Sequence, residues 1–148
     1  MLLHKNHKFI FDNRAAIQLP DSIYFDCNPD VYPMEGFVLH SEDLSIQIDI
    51  NFVKTDKDAW TYLLEIKDTF EYLEYLEPIR AIVLNGMPGF VLSYALCKET
   101  FEEYALSIPG DEPTLLNICF VQKKDQPADA TEYARLRDEI IAGLSLVE

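Results

Sequence analysis

The chain has 148 residues, 49% of them apolar, enough to bury one core of ordinary domain size. Twelve basic residues against twenty-six acidic ones leave a formal charge of −14, a field that repels nucleic-acid phosphates and anionic lipid and favours basic partners or cations. No segment approaches the ~20 apolar residues of a membrane span, and "MLLHKNHKFIF" lacks the apolar stretch of a signal peptide. The expectation is one cytoplasmic domain over residues 1–148, with neither a nucleic-acid nor a membrane partner.

In chain order, "KFIFDNRAAIQL" reads as a hairpin turning at Asp12-Asn13, followed after Pro20 by a short strand in "SIYFDC". The segment Asn28 to Met34 holds two prolines, which argue against continued ladder pairing and predict an irregular loop. A second hairpin is expected around Ser41-Glu42-Asp43. Its second arm alternates, with Leu44, Ile46, Ile48, Ile50 and Phe52 on one side and Ser45, Gln47, Asp49 and Asn51 on the other. That is the pattern of a half-buried antiparallel strand.

The pattern Thr55-x-x-Asp58 predicts a helix start, and Ala59, Leu63, Ile66, Phe70, Leu73 and Leu76 follow at spacings of three and four. Pro78 is expected to end this helix. Four strand-like runs come next: Ile79–Leu84, Gly89–Cys97, Phe101–Ile108 and Thr114–Gln122. Their short connections favour antiparallel neighbours. Asp129-x-x-Glu132 predicts the last helix, with Tyr133, Leu136, Ile140 and Leu144 as its apolar stripe. The fold class is α+β, a mostly antiparallel sheet of about seven strands with two helices packed against it. Cys27, Cys97 and Cys119, odd in number and widely spaced, read as reduced structural thiols.

This order of elements, with "IQLP" near the start, "IVLNGMPGFVLSY" after the long helix and a closing helix, resembles the PsbP-like fold. That family includes the photosystem protein PsbP, a Ran nucleotide-release factor, and bacterial members such as type VI effector-associated chaperones. The resemblance implies an α/β/α sandwich and a protein that binds other proteins rather than an enzyme.

Candidate chemistry is sparse. Gly86 and Gly89 lack the Lys of a phosphate loop and lead into a strand-like run instead of a helix, so a turn explains them better. His4, His7 and His40 show no metal-ligand spacing, and His40 beside Ser41, Glu42 and Asp43 is a run of turn residues rather than a converging triad. No metal site, cofactor or catalytic residue is therefore assigned.

Two residue sets remain. Glu65, Asp68, Glu71, Tyr72 and Tyr75, placed on the polar side of the first helix, mix carboxylates with aromatic contact area. With Tyr32 and Met34 of the proline-bounded loop, they form the candidate partner-binding set. The polar strand row Ser45, Gln47, Asp49 and Asn51 with His40 is the candidate ligand-binding set, with Arg80 expected nearby. The expected function is a non-enzymatic adaptor or chaperone for a basic or amphipathic protein segment. A toxin-neutralising immunity protein is a version of the same class. The alternatives are a small-ligand binder or enzyme using the polar row, and self-association as a homodimer through an edge strand or the Tyr-rich helix.

Overall fold

The computed structural model describes residues 2–3, 8–21, 23–25, 36–69, 72–123 and 129–147. Thirteen elements are arranged in two antiparallel sheets and two helices among these residues. The larger sheet has the order β1 (Leu2–Leu3), β4 (Tyr24–Phe25), β5 (Gly36–His40), β6 (Ile46–Lys54), β10 (Thr114–Gln122), β9 (Glu99–Ser107), β8 (Met87–Leu96), β7 (Glu74–Leu84). The smaller sheet joins β11 (Leu144–Leu146), β3 (Ala15–Gln18) and β2 (Lys8–Phe11). The eight-stranded sheet is one strand larger than the expected seven, and all its pairings are antiparallel.

Strand alternation divides the large sheet into two faces. On the first, Ile46, Ile48, Ile50 and Phe52 of β6 meet Leu116, Ile118 and Phe120 of β10 in one buried cluster. The small sheet and α2 (Ala130–Ala142) cover that face, contributing Phe11, Ala15, Ile17, Tyr133, Leu136 and Ile140 to the same core. The second face carries a smaller core in which Ala59 and Leu63 of α1 (Ala59–Thr69) pack on Leu92, Tyr94, Ala105 and Leu115. Helices therefore lie on opposite faces, as the sandwich expectation required. β10 is buried along nearly its whole length between them, which explains its unbroken apolar run.

Local chemistry sets the turns. Asn85-Gly86 and Cys97-Lys98 have positive φ and join the paired residues Leu84–Met87 and Leu96–Glu99, the signature of two-residue hairpin turns. Asp12 and Asn13 also have positive φ, in a three-residue loop between the paired Phe11 and Ala15. The stretch Asn85–Gly89 thus contains one turn, at Asn85-Gly86. Pro88 and Gly89 already belong to β8, where a Cβ on Gly89 would sit 2.0 Å from the Ala105 carbonyl oxygen. Strand pairing there needs glycine's missing side chain.

Several boundaries differ from expectation. The N-cap of α1 is Asp58, whose Oδ1 accepts from the Thr61 N–H at 2.7 Å, while Thr55 Oγ1 accepts from Lys57 N–H instead. The helix stops at Thr69, well before Pro78. Leu76 and Pro78 lie in β7, at the sheet edge where proline is tolerated, and the register shifts on both sides of Glu77. The last helix begins at the expected cap: Asp129 accepts from the Thr131 and Glu132 N–H groups. It ends before Gly143, however, so the buried Leu144 belongs to β11 and pairs with Ile17.

Candidate functional site

On the second face, register places three rows of side chains across four strands. One runs Val38, Asp49, Cys119, Glu103, and its neighbour runs Gly36, Asn51, Asn117, Ala105. A third holds His40, Gln47, Val121 and Phe101. Helix α1 covers the β8 and β9 part of this face and leaves the β5 and β6 part outside. Gln47, Asp49 and Asn51 thus share a face with Glu103 and Asn117, but only the latter two are buried.

The open part is a concavity of about 1130 Å³. Its polar lining is Gln47, Asp49 and Asn51, and its apolar lining includes Val38, Val53 and Tyr62 of α1. Ile10 and Phe11 of the β2–β3 hairpin line it too, with Asp12 and Lys54. The last two form an ion pair at 3.5 Å, and Lys54 also reaches Glu112 at 3.5 Å. The amide of Gln47 is oriented by its neighbours, its Nε2 donating to Asp49 at 2.9 Å and its Oε1 accepting from Lys123 at 2.7 Å. Gly36 leaves room for Asn51, since a Cβ there would lie 2.3 Å from Asn51 Oδ1.

Behind this surface lies a hydrogen-bonded network that the sequence reading missed. Glu103 is only 6% exposed, and its carboxyl accepts from Tyr94 Oη at 2.8 Å and Asn117 Nδ2 at 2.9 Å. Asn117 Nδ2 also donates to the Tyr104 carbonyl, and the Tyr62 hydroxyl approaches Asn117 Oδ1 at 3.4 Å. Burial raises the Glu103 pKa, opposed by hydrogen bonds from Asn117, Tyr94 and Cys119, while the Asp49 charge raises it further. Burial and the nearby Glu103 and Asp49 charges push the Cys119 thiol up. Burial and Glu103 do the same to the Tyr62 and Tyr94 hydroxyls. All three keep their protons at neutral pH. They donate hydrogen bonds, and Cys119 is no activated nucleophile. The sequence signals were Asn117 interrupting the apolar run "LLNICF" and the acid pair in "FEEYAL".

The expected site residues scatter. His40, Gln47, Asp49 and Asn51 do share one face. Ser45 does not join them: it is buried in the turn, where its hydroxyl donates to Asp43 Oδ1 at 2.6 Å. Hydrogen bonds from Ser45 and Ser41 hold the Asp43 carboxyl below its usual range, which accounts for these residues as turn chemistry. Arg80 lies on β7, at the far edge of the sheet from β5.

The acidic and aromatic set is not one helix face. Glu65 and Asp68 are exposed on α1, with Glu65 paired to Lys57. Tyr72 lies beyond the helix, 82% exposed, and Tyr75 is in β7. Tyr32, Met34 and Glu71, with Cys27, His4 and His7, lie outside the described residues. Cys97 and Cys119 are free thiols, Cys97 in a turn and not in the apolar strand context expected of it. Among the described residues no group of three or more His, Cys, Asp or Glu could hold a metal ion, and no helix is long and apolar enough to cross a membrane.

The chain has a known fold. It is similar to LpqN of Mycobacterium tuberculosis, a protein involved in cell envelope biogenesis, with a TM-score of 0.60 and 16% identity over 90% of this chain and 83% of LpqN. A Bacteroides thetaiotaomicron protein of known structure is also similar, at a TM-score of 0.54 and 14% identity. That match covers 95% of this chain and 48% of the other. At such identities the likeness is one of fold. No protein-family model and no curated protein matches the chain.

Proposed function

We propose that this chain is a non-enzymatic protein-binding domain of PsbP-like fold, an adaptor or chaperone that receives a basic or amphipathic partner segment. The observation that carries the reading is the open concavity beside α1. Its volume of about 1130 Å³ lies above the usual ~300–1,000 Å³ of small-molecule pockets, and it is wide at the mouth and mixed in lining. Val38, Val53, Ile10 and Tyr62 offer apolar contact, and Asp49 offers a carboxylate to an incoming ammonium or guanidinium group. The −14 charge would steer such a segment toward the domain. A role for LpqN in cell envelope biogenesis is compatible with an accessory protein that binds rather than catalyses.

The test is an NMR titration with a Lys-rich amphipathic peptide at low and high salt. Shifts should concentrate at Val38, Asp49, Asn51 and Tyr62, weaken with salt, and disappear in Asp49→Lys. Shifts spread over the surface, or unchanged in that variant, would remove the concavity from the account.

A second reading, a small-ligand binder or enzyme, is favoured by the buried Glu103 network behind Asp49. A ligand at 100 times its dissociation constant would add about 2.7 kcal/mol of stability. A thermal-shift screen of metabolites and metals would show this, with the shift abolished in Asp49→Ala.

A further inference from the structure

The two edges of the large sheet are built differently. One edge carries the two-residue strands β1 and β4, too short to template another chain. The other is β7, eleven residues long. Its first half is guarded by Pro78 and by the irregular register around Glu77. Its second half, Arg80 to Leu84, runs in unbroken register against β8 as far as the Asn85-Gly86 turn. No described strand pairs with its outer side. Val83 there is 69% exposed.

Hairpin geometry fixes which main-chain groups point outward. In a two-residue hairpin the residues flanking the turn, here Leu84 and Met87, exchange both main-chain bonds. Ile82 and Arg80 then also face β8, and Val83 and Ala81 turn their N–H and C=O groups to the open edge. We propose that this edge pairs with the same edge of a second copy of the chain, antiparallel about a twofold axis at Ile82.

In that register Ala81 of each copy meets Val83 of the other twice over, giving four main-chain hydrogen bonds, and Arg80 meets Leu84. Such an interface is self-complementary, as a twofold dimer requires. Charge favours a second copy at this place, although the chain as a whole is acidic. The paired stretch carries one charge, the cationic Arg80, while Glu74 and Glu77 fall outside it, so no carboxylate meets a carboxylate across the ladder. Each Arg80 is brought toward a partner molecule of charge −14. Exposed Trp60, packed edge-on against Phe90 beside Ala81, extends the apolar surface on one side.

Sedimentation equilibrium over a concentration series tests this, with Val83→Glu and Ala81→Pro as variants. Neither residue lines the concavity. Val83→Glu puts a charge into the ladder, and Ala81→Pro removes an outward N–H without touching the β8 side. A concentration-dependent dimer is expected, strengthened by salt because net repulsion is screened, with its dissociation constant raised about tenfold or more in each variant. In the wild type, amides 81 and 83 should gain hydrogen-exchange protection as concentration rises, a readout that stands even if a variant folds poorly. A monomer at every concentration, a dimer insensitive to both variants, or a heterologous strand captured on β7 by a monomeric chain would overturn the proposal.

Discussion

Replacing Glu103 probes the network that ties α1's side of the sheet together. In Glu103→Ala the Tyr94 hydroxyl and one Asn117 N–H lose their acceptor at positions 3% and 4% exposed. Each unsatisfied buried donor costs ~1–3 kcal/mol, so the variant should lose roughly 3–5 kcal/mol once the vacated volume is included. For a chain this long that is a fall of roughly 10 °C in Tm. Glu103→Gln keeps the volume and one acceptor and should lose about 1 kcal/mol. Urea unfolding followed by circular dichroism and by fluorescence of Trp60, the single tryptophan, measures both.

The pH dependence has a definite sign. The native carboxyl binds its proton more tightly than the unfolded Glu value of ~4.3. Its contribution is therefore full below that value and is lost as pH rises through the raised native pKa. Wild type should lose stability relative to Glu103→Gln over that rise, and the two curves should run parallel above it. Glu103→Ala within about 1 kcal/mol of wild type, or a wild-type curve parallel to Glu103→Gln throughout, would refute the reasoning.

Gly89→Ala should destabilise by roughly 2 kcal/mol or more, because its Cβ would collide with the Ala105 main chain and not with a movable side chain; a thermal melt shows it. Asn85→Ala should cost about 2 kcal/mol in the same assay. It removes the bonds from Nδ2 to the Ile141 and Leu144 carbonyls, which tie the β7–β8 turn to the end of α2, and it leaves a positive φ of 51° on alanine. Pro78→Val should leave the fold intact and increase self-association by light scattering, since it removes a guard from the edge strand.

The large sheet was legible where one periodicity dominated. β6 alternates cleanly from Ile46 to Phe52, and one side is indeed core. Leu44, which fits the same alternation, is instead a turn residue at φ 63° and 43% exposed. The helix–strand border failed because "EYLEYLEPIRAIVL" satisfies both spacings: Leu73 and Leu76 continue the helical series, while the β-prone run gains a full ladder with β8. Cap assignment failed because two overlapping patterns compete. Thr55 is engaged in the loop, its N–H bonded to the Pro113 carbonyl, so Asp58 takes the cap. β11 could not be foreseen, because its three residues need the distant β3 to become a strand.

The site shows the same limit in another form. Along the sequence, Asp49 and Glu103 are polar residues on alternating strands, and nothing local says that one is open and the other buried. Their different fates follow from the size of one helix. An α-helix with its side chains is about 10–12 Å across and covers two or three strands at about 4.8 Å spacing. The sheet has eight strands, roughly 34 Å between its outermost ones. α1 therefore covers Leu92, Ala105 and Leu115 and cannot extend over β5 and β6. The residues left outside it on this face are Gln47, Asp49 and Asn51 with His40, Val38 and Val53, a mixed and more polar set than the mainly apolar one beneath the helix. A sheet face whose polarity changes where its cover ends is adapted to water or to a polar partner at that place, and the row beside α1 is where such a partner would be received.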